Sequence, residues 1–220
     1  MQFYLLLIQF CKADVVLLNY PLLWEMPKDV QRNDLEIYES ITDPLGPAMT
    51  WGIFAINWMD LGEEFKAEEM FNKSYQSYAR EPFHIWTEVS SGVGAVNFLT
   101  GVGGFLQTLI YGYAGLRIYP NYLLIKPRSF LPPQTSSMTL QGLKYLDVCF
   151  DLVIDQNEIK FKCGTHQQKL VMTIENNDGN FMQNNFCDEN QGKRFQITKS
   201  KVNYGFIFFQ KVKLLWSRKI

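Results

Sequence analysis

The chain has 220 residues, 47% hydrophobic and 20% charged, which excludes disorder and collagen-like repeats and is enough for a packed core. With 21 basic against 22 acidic residues spread along the chain, the formal charge is −1 and no basic footprint exists for a phosphate backbone, so no nucleic-acid partner is expected. Aromatic residues reach 15%, which suits a large core first and a sugar-binding site second.

Residues 1–10 are apolar, but they lack a basic flank, a small-residue cleavage site and the roughly 20 apolar residues that span a bilayer. Neither leader nor membrane anchor is expected, and cytoplasm is the default location. Residues 33–115 read as helical. Leu35, Ile37, Tyr38 and Ile41 give an amphipathic run that stops at Asp43-Pro44-Leu45-Gly46-Pro47. A second helix over 48–61 carries Met49, Phe54, Ile56, Trp58 and Met59, is apolar around much of its circumference and is closed by Gly62. Glu63-Glu64 opens a third, with Phe65, Met70, Phe71, Tyr75 and Tyr78 on one face, ending at Arg80-Glu81-Pro82. A loop follows, and then a fourth helix over 96–113, with Asn97 as its cap.

At Leu116 the period changes from helical to alternating. Runs at 116–119 and 122–126 flank Pro120-Asn121 as a hairpin, and strands at 138–142, 143–154, 158–163 and 170–175 are separated by Asp155-Gln156-Asn157 and Asn176-Asn177-Asp178-Gly179. The expected organisation is a helical part at 1–115, a β domain at 116–179 and an unassigned tail at 180–220. The tail reads either as a hairpin near 202–212 or as text foreign to the domain. Cys11, Cys149, Cys163 and Cys187 show neither CxxC nor ligand-spaced histidines, so no metal and no cofactor is expected. The thiols are expected reduced, although Cys149 and Cys163 sit where two neighbouring strands meet. His84 and His166 have no ligand-spaced partners.

The stretch 82–107 holds the most chemistry: Trp86-Thr87-Glu88, then Ser90-Ser91-Gly92-Val93-Gly94, then Gly101-Val102-Gly103-Gly104. A carboxylate beside an indole in a glycine-rich loop at a helix start fits a sugar pocket. An exposed loop acid is the plainer alternative for Glu88, and close helix packing the plainer one for the glycines.

Read in order, Ala13-Asp14-Val15-Val16-Leu17-Leu18, Leu35-Glu36-Ile37-Tyr38-Glu39, Gly46-Pro47-Ala48-Met49-Thr50-Trp51, Trp86-Thr87-Glu88 and Gly94-Ala95-Val96-Asn97-Phe98-Leu99-Thr100-Gly101 resemble the C-terminal third of the acid trehalase-like branch of glycoside hydrolase family 65. The resemblance covers roughly 13–175. It implies an α+β chain: about four helices of a partial (α/α)6 barrel, then a small antiparallel β-sandwich-like domain. The chain is expected to be cut from something larger.

The implied reaction is inverting hydrolysis of an α-glucosidic bond, releasing glucose from glucosyl-galactosyl-hydroxylysine of collagen. Inversion needs two carboxyls about 6.5–9.5 Å apart, an acid for the leaving oxygen and a base for water. By position Glu88 matches the base. The general acid lies upstream in the family, outside this chain, so the chain alone is expected to be inactive. Trp86, Trp51 and Asp14 are candidate contacts to the sugar, with barrel core the alternative for the tryptophans and a cap for Asp14. Members carry Lys-Gln before the Ala-Asp-Val run as a contact to the glucose ring; here Cys11-Lys12 stands there, and that role is not transferred. A non-catalytic carbohydrate-binding or interaction module is the competing reading. A phosphorylase is disfavoured, because the Glu88 carboxylate would repel phosphate.

Overall fold

In the computed structural model the chain is mixed α and β, helices first and antiparallel strands after, in the order the sequence predicts. Residues 14–120, 122–146 and 148–163 are described, together with the strands Leu170–Glu175, Phe181–Asn185, Arg194–Thr198 and Ile207–Lys211. Residues 1–10, the Cys11-Lys12 pair, the 176–179 turn, His166 and Cys187 lie outside them. The chain divides after Tyr113 into two compact units.

In the first unit a 3-10 turn, Val15–Leu18, precedes α1 (Lys28–Ile41), α2 (Thr50–Leu61) and α3 (Glu64–Tyr75). Helix α1 starts five residues before the predicted 33, because Pro27 ahead of it fixes the backbone and Asp29 favours the first turn. Helix α2 is the centre. Trp51, Phe54, Ala55, Ile56, Trp58 and Met59 are all buried, as a run apolar around its circumference requires. Its end follows from sequence: Gly62 takes a left-handed conformation, and the amides of Gly62 and Glu63 turn back to the carbonyls of Met59 and Trp58.

The third helix stops at Tyr75 rather than 80. Instead β1 (Ala79–Arg80) pairs antiparallel with β2 (Ile85–Trp86), so strand pairing captures the backbone that the sequence pattern extends as helix. Helix α4 (Leu99–Gln107) starts three residues later than predicted, and a π-helical turn, Thr108–Tyr113, continues it. Val96 bridges Thr87, and no side chain caps the helix, so Asn97 is not its cap. Gly101 and Gly104 serve close packing: a Cβ on Gly101 would lie 2.7 Å from Ala48 Cβ, and one on Gly104 3.2 Å from Met49 Cα.

In the second unit β3 (Leu116–Ile118) and β4 (Tyr122–Ile125) form the predicted hairpin, with the Tyr119 amide donating to Tyr122 at 2.9 Å. The predicted single run 143–154 is two strands, β5 (Ser137–Tyr145) and β6 (Val148–Asp155). Strand β5 is bulged between Leu140 and Leu143, where the Gly142 amide bonds Asp151. The turn into β7 (Glu158–Cys163) is made by Asp155, whose Oδ1 accepts from the amides of Asn157 at 2.8 Å and Glu158 at 2.7 Å. Those bonds, the Asn157 amide first, hold the Asp155 carboxyl below its usual range.

Strands β8 (Leu170–Glu175), β9 (Phe181–Asn185), β10 (Arg194–Thr198) and β11 (Ile207–Lys211) complete two antiparallel sheets, ordered β10-β7-β6-β5 and β3-β4-β11-β8-β9. The stretch after 179 therefore supplies three strands. Of the hairpin expected near 202–212 only β11 lies within the described residues, and it has β4 on one side and β8 on the other.

Val148, Phe150, Leu152 and Ile154 alternate into the core with Ile159, Phe161 and Cys163 opposite. Cys163 pairs with Phe150, so the period of two sends Cys149 to the other face, where its thiol is free and exposed. Cys163 is disulfide-bonded, not to Cys149, which corrects the expectation of reduced thiols throughout.

Gly115 fixes the return of the chain in this unit. It has φ +64°, and an added Cβ would lie 1.8 Å from the Lys126 carbonyl oxygen. Gly115→Ala is expected to destabilise the unit by about 2–3 kcal/mol from overpacking and left-handed strain together. Denaturant unfolding read on the β-sheet signal checks this, and a loss under ~0.5 kcal/mol would refute it.

Candidate active site

The loop over 86–98 is built as an irregular hairpin between α3 and α4. Thr87 bridges Val96, the Glu88 amide donates to the Ala95 carbonyl at 2.9 Å, and the Phe98 amide donates to the Trp86 carbonyl at 2.9 Å. Two bonds tie this hairpin to the core. The Ala48 amide, just before α2, donates to the Glu88 carbonyl at 2.9 Å, and the Thr87 amide donates to the Tyr78 carbonyl at 3.0 Å. Tyr78 is fully buried, and its hydroxyl donates to the Gly46 carbonyl at 2.7 Å. Burial, above all, raises its pKa, so the phenol stays protonated and keeps donating.

Glu88 is half-buried, and its two carboxylate oxygens differ. Oε2 accepts from the Ala95 amide at 3.0 Å, while Oε1 bonds no protein group among the described residues. One oxygen is held and the other is available to a water. Gly94 permits this: at φ +97° its missing Cβ would stand 3.0 Å from Oε2 and 3.3 Å from Glu88 Cβ. Gly94→Ala is expected to displace the carboxylate and weaken the loop by about 1–2 kcal/mol. A crystal structure of that variant with the Ala95 amide still on Oε2 would refute it.

Trp86 lies two residues from Glu88, half-buried, its ring 5.6 Å from Phe105, which stacks on Phe71 at 5.5 Å. A carboxylate and an indole thus stand two residues apart on the same loop. Trp51 is elsewhere. It is 3% exposed, 5.6 Å from the Phe54 ring and with Lys73 Nζ 5.2 Å from its centroid, so it serves the core and reaches the surface only where it lines an open groove on α1–α3. Asp14 is exposed and makes no capping bond. Its segment is anchored by Asn57 Nδ2, which donates to the Val16 carbonyl at 3.0 Å. Asn57 lies two helical turns from Thr50, about 10 Å along α2.

Among the described residues no group of three or more His, Cys, Asp or Glu could hold a metal ion, and no helix is long and apolar enough to cross a membrane. An open groove of about 400 Å³ on α1–α3 involves Glu36, Glu39, Lys66 and Lys73. Its charges are engaged within the protein: Lys66 with Glu36 at 3.7 Å, Lys73 with Glu69 at 2.8 Å, and Glu39 with the Trp58 indole at 3.0 Å. Sequence reasoning missed the Ala95 amide, which has no local signal because it acts through its backbone.

No protein-family model matches the chain. It is similar to protein-glucosylgalactosylhydroxylysine glucosidase of Danio rerio, 43% identical over 74% of this chain and 25% of that protein. The glucosidase of the same name from Dictyostelium discoideum is 39% identical over 74% of this chain and 22% of its own length. An acid trehalase of Emericella nidulans is 35% identical over 56% of this chain and 12% of that protein. The chain thus spans about a quarter of the curated glucosidases it matches. A solved structure titled putative kojibiose phosphorylase from human microbiome shares the fold, with a TM-score of 0.58 at 14% identity over 85% of this chain and 23% of that one.

Proposed function

Taking the chain as homologous to one segment of the glycoside hydrolase family 65 enzymes, we propose that it supplies the general-base side of an inverting α-glucosidase site, with Glu88 as the base. The observation that carries this is the asymmetry of its carboxylate, one oxygen on the Ala95 amide and one without a protein partner. Bound water on the open oxygen gives up its proton as it attacks the anomeric carbon, while a second carboxyl about 6.5–9.5 Å away protonates the leaving oxygen. That acid is not among the residues this chain contributes. Trp86 lines the glucose subsite, with Asp14 a more distant contact and Trp51 a support from the core.

The substrate is glucosyl-galactosyl-hydroxylysine, and no nucleic acid or membrane takes part. Helices α1–α4 are part of an (α/α)6 barrel, and the second unit is its β-sandwich-like companion. The alternation of a helix apolar all round with amphipathic neighbours supports the barrel, because an inner ring is covered on every side.

The test is glucose release. The 220-residue chain alone is expected to release none, and an intact glucosidase carrying this segment should lose turnover when Glu88 is changed. Glycan binding by the intact protein without any turnover would favour the carbohydrate-binding module instead.

A further inference from the structure

The loop that carries Glu88 has little of its own to hold it. Residues 91–97 are all exposed, and its internal bonds are local ones, from the Gly92 amide to Val89 at 3.0 Å and from Glu88 to Ala95. Among the described residues one side chain from outside donates into it. Arg80, the last residue of β1 and opposite Ile85 of β2, reaches across so that Nη2 donates to the Ser90 carbonyl. A Cβ on Gly92 would lie 3.6 Å from that Nη2 and 3.9 Å from Cζ, so the guanidinium is packed against the loop as well as bonded to it. Arg80 Nε and the Ser90 hydroxyl are both buried at this contact without a partner among the described residues.

We propose that Arg80 is a positioning residue for Glu88, clamping the loop through the Ser90 carbonyl so that the Ala95 amide stays on Oε2; its relevance to turnover rests on the reading of Glu88 as base. A charged donor to a carbonyl is a stronger tie than a neutral one, and a guanidinium spreads its donors across the loop backbone in a fixed plane. The loop's other ties are its own, the Glu88–Ala95 backbone pair and the Thr87 hydroxyl on the Val89 carbonyl at 3.0 Å, so Arg80 is the side chain that braces it from outside.

The test uses the full chain and amide NMR. In the wild type the Ala95 amide proton should move as Glu88 titrates, because that N–H donates to the carboxylate. In Arg80→Met the pH-dependent movement should fall to less than a third, with the amides of α2 and α3 unchanged. Arg80→Lys keeps the charge and serves if the Met variant does not fold; it should retain about half. Ala95 tracking Glu88 fully in either variant overturns the proposal, and so does a change spread through α2 and α3, which marks a merely structural residue. In an intact glucosidase carrying this segment, Arg80→Met should lower kcat about 10- to 100-fold with KM within threefold, partly restored by Lys. Loss of the Ala95 signal with full activity in Glu88→Gln would leave the clamp standing and remove the base.

Discussion

Glutamine at position 88 is expected to lower kcat for glucose release by at least ~10²-fold in an intact glucosidase carrying this segment, with the fold unchanged. The reasoning is electronic, not steric. Gln keeps the shape of Glu, and its amide oxygen can still accept the Ala95 N–H that now holds Oε2. What it cannot do is take a proton from water, so only the base function is removed. The loop should hold, because its tie to the core runs through the Glu88 backbone carbonyl and the Ala48 amide. Turnover and thermal unfolding measured side by side check both halves. Activity within a few-fold of wild type would leave Glu88 a loop acid.

Trp58→Ala is expected to destabilise the helical unit by about 3–5 kcal/mol, the usual cost of emptying a large aromatic site. Trp58 is fully buried on α2, its indole N–H donates to Glu39 at 3.0 Å, and Lys66 Nζ stands 4.0 Å from its ring centroid. Removing the ring takes away core, hydrogen bond and cation contact together. Trp58→Phe separates them. It keeps an aromatic ring, and Glu39 is only half-buried, so water replaces the lost donor and the expected loss is about 1 kcal/mol. Denaturant unfolding followed by helical circular dichroism measures both, and an Ala variant within ~1 kcal/mol of wild type would show that α2 is not the centre of this core.

Much of the fold was legible because its signals are local. Gly62 ends α2, β3 and β4 pair as the hairpin their flanking runs announce, and Asp155 closes the next turn through amides two and three residues on, each by chemistry confined to a few positions. The one-sided burial of β6 and β7 follows from a period of two that any reader of the residues can count. Glu88 and Trp86 were found together because they stand two residues apart in sequence.

What only the tertiary structure decided are relations between distant residues. Nothing near Ile207 says that β11 runs between β4 and β8, because strand pairing is chosen by the whole set of competing edges. Nothing near Trp51 says that Phe54 and Lys73 enclose it, or that the 3-10 turn after Asp14 is anchored two turns down α2. The state of the Glu88 carboxylate is of the same kind. Which oxygen is held and which is open depends on a backbone amide seven residues away, and spacing in the sequence carries no information about it.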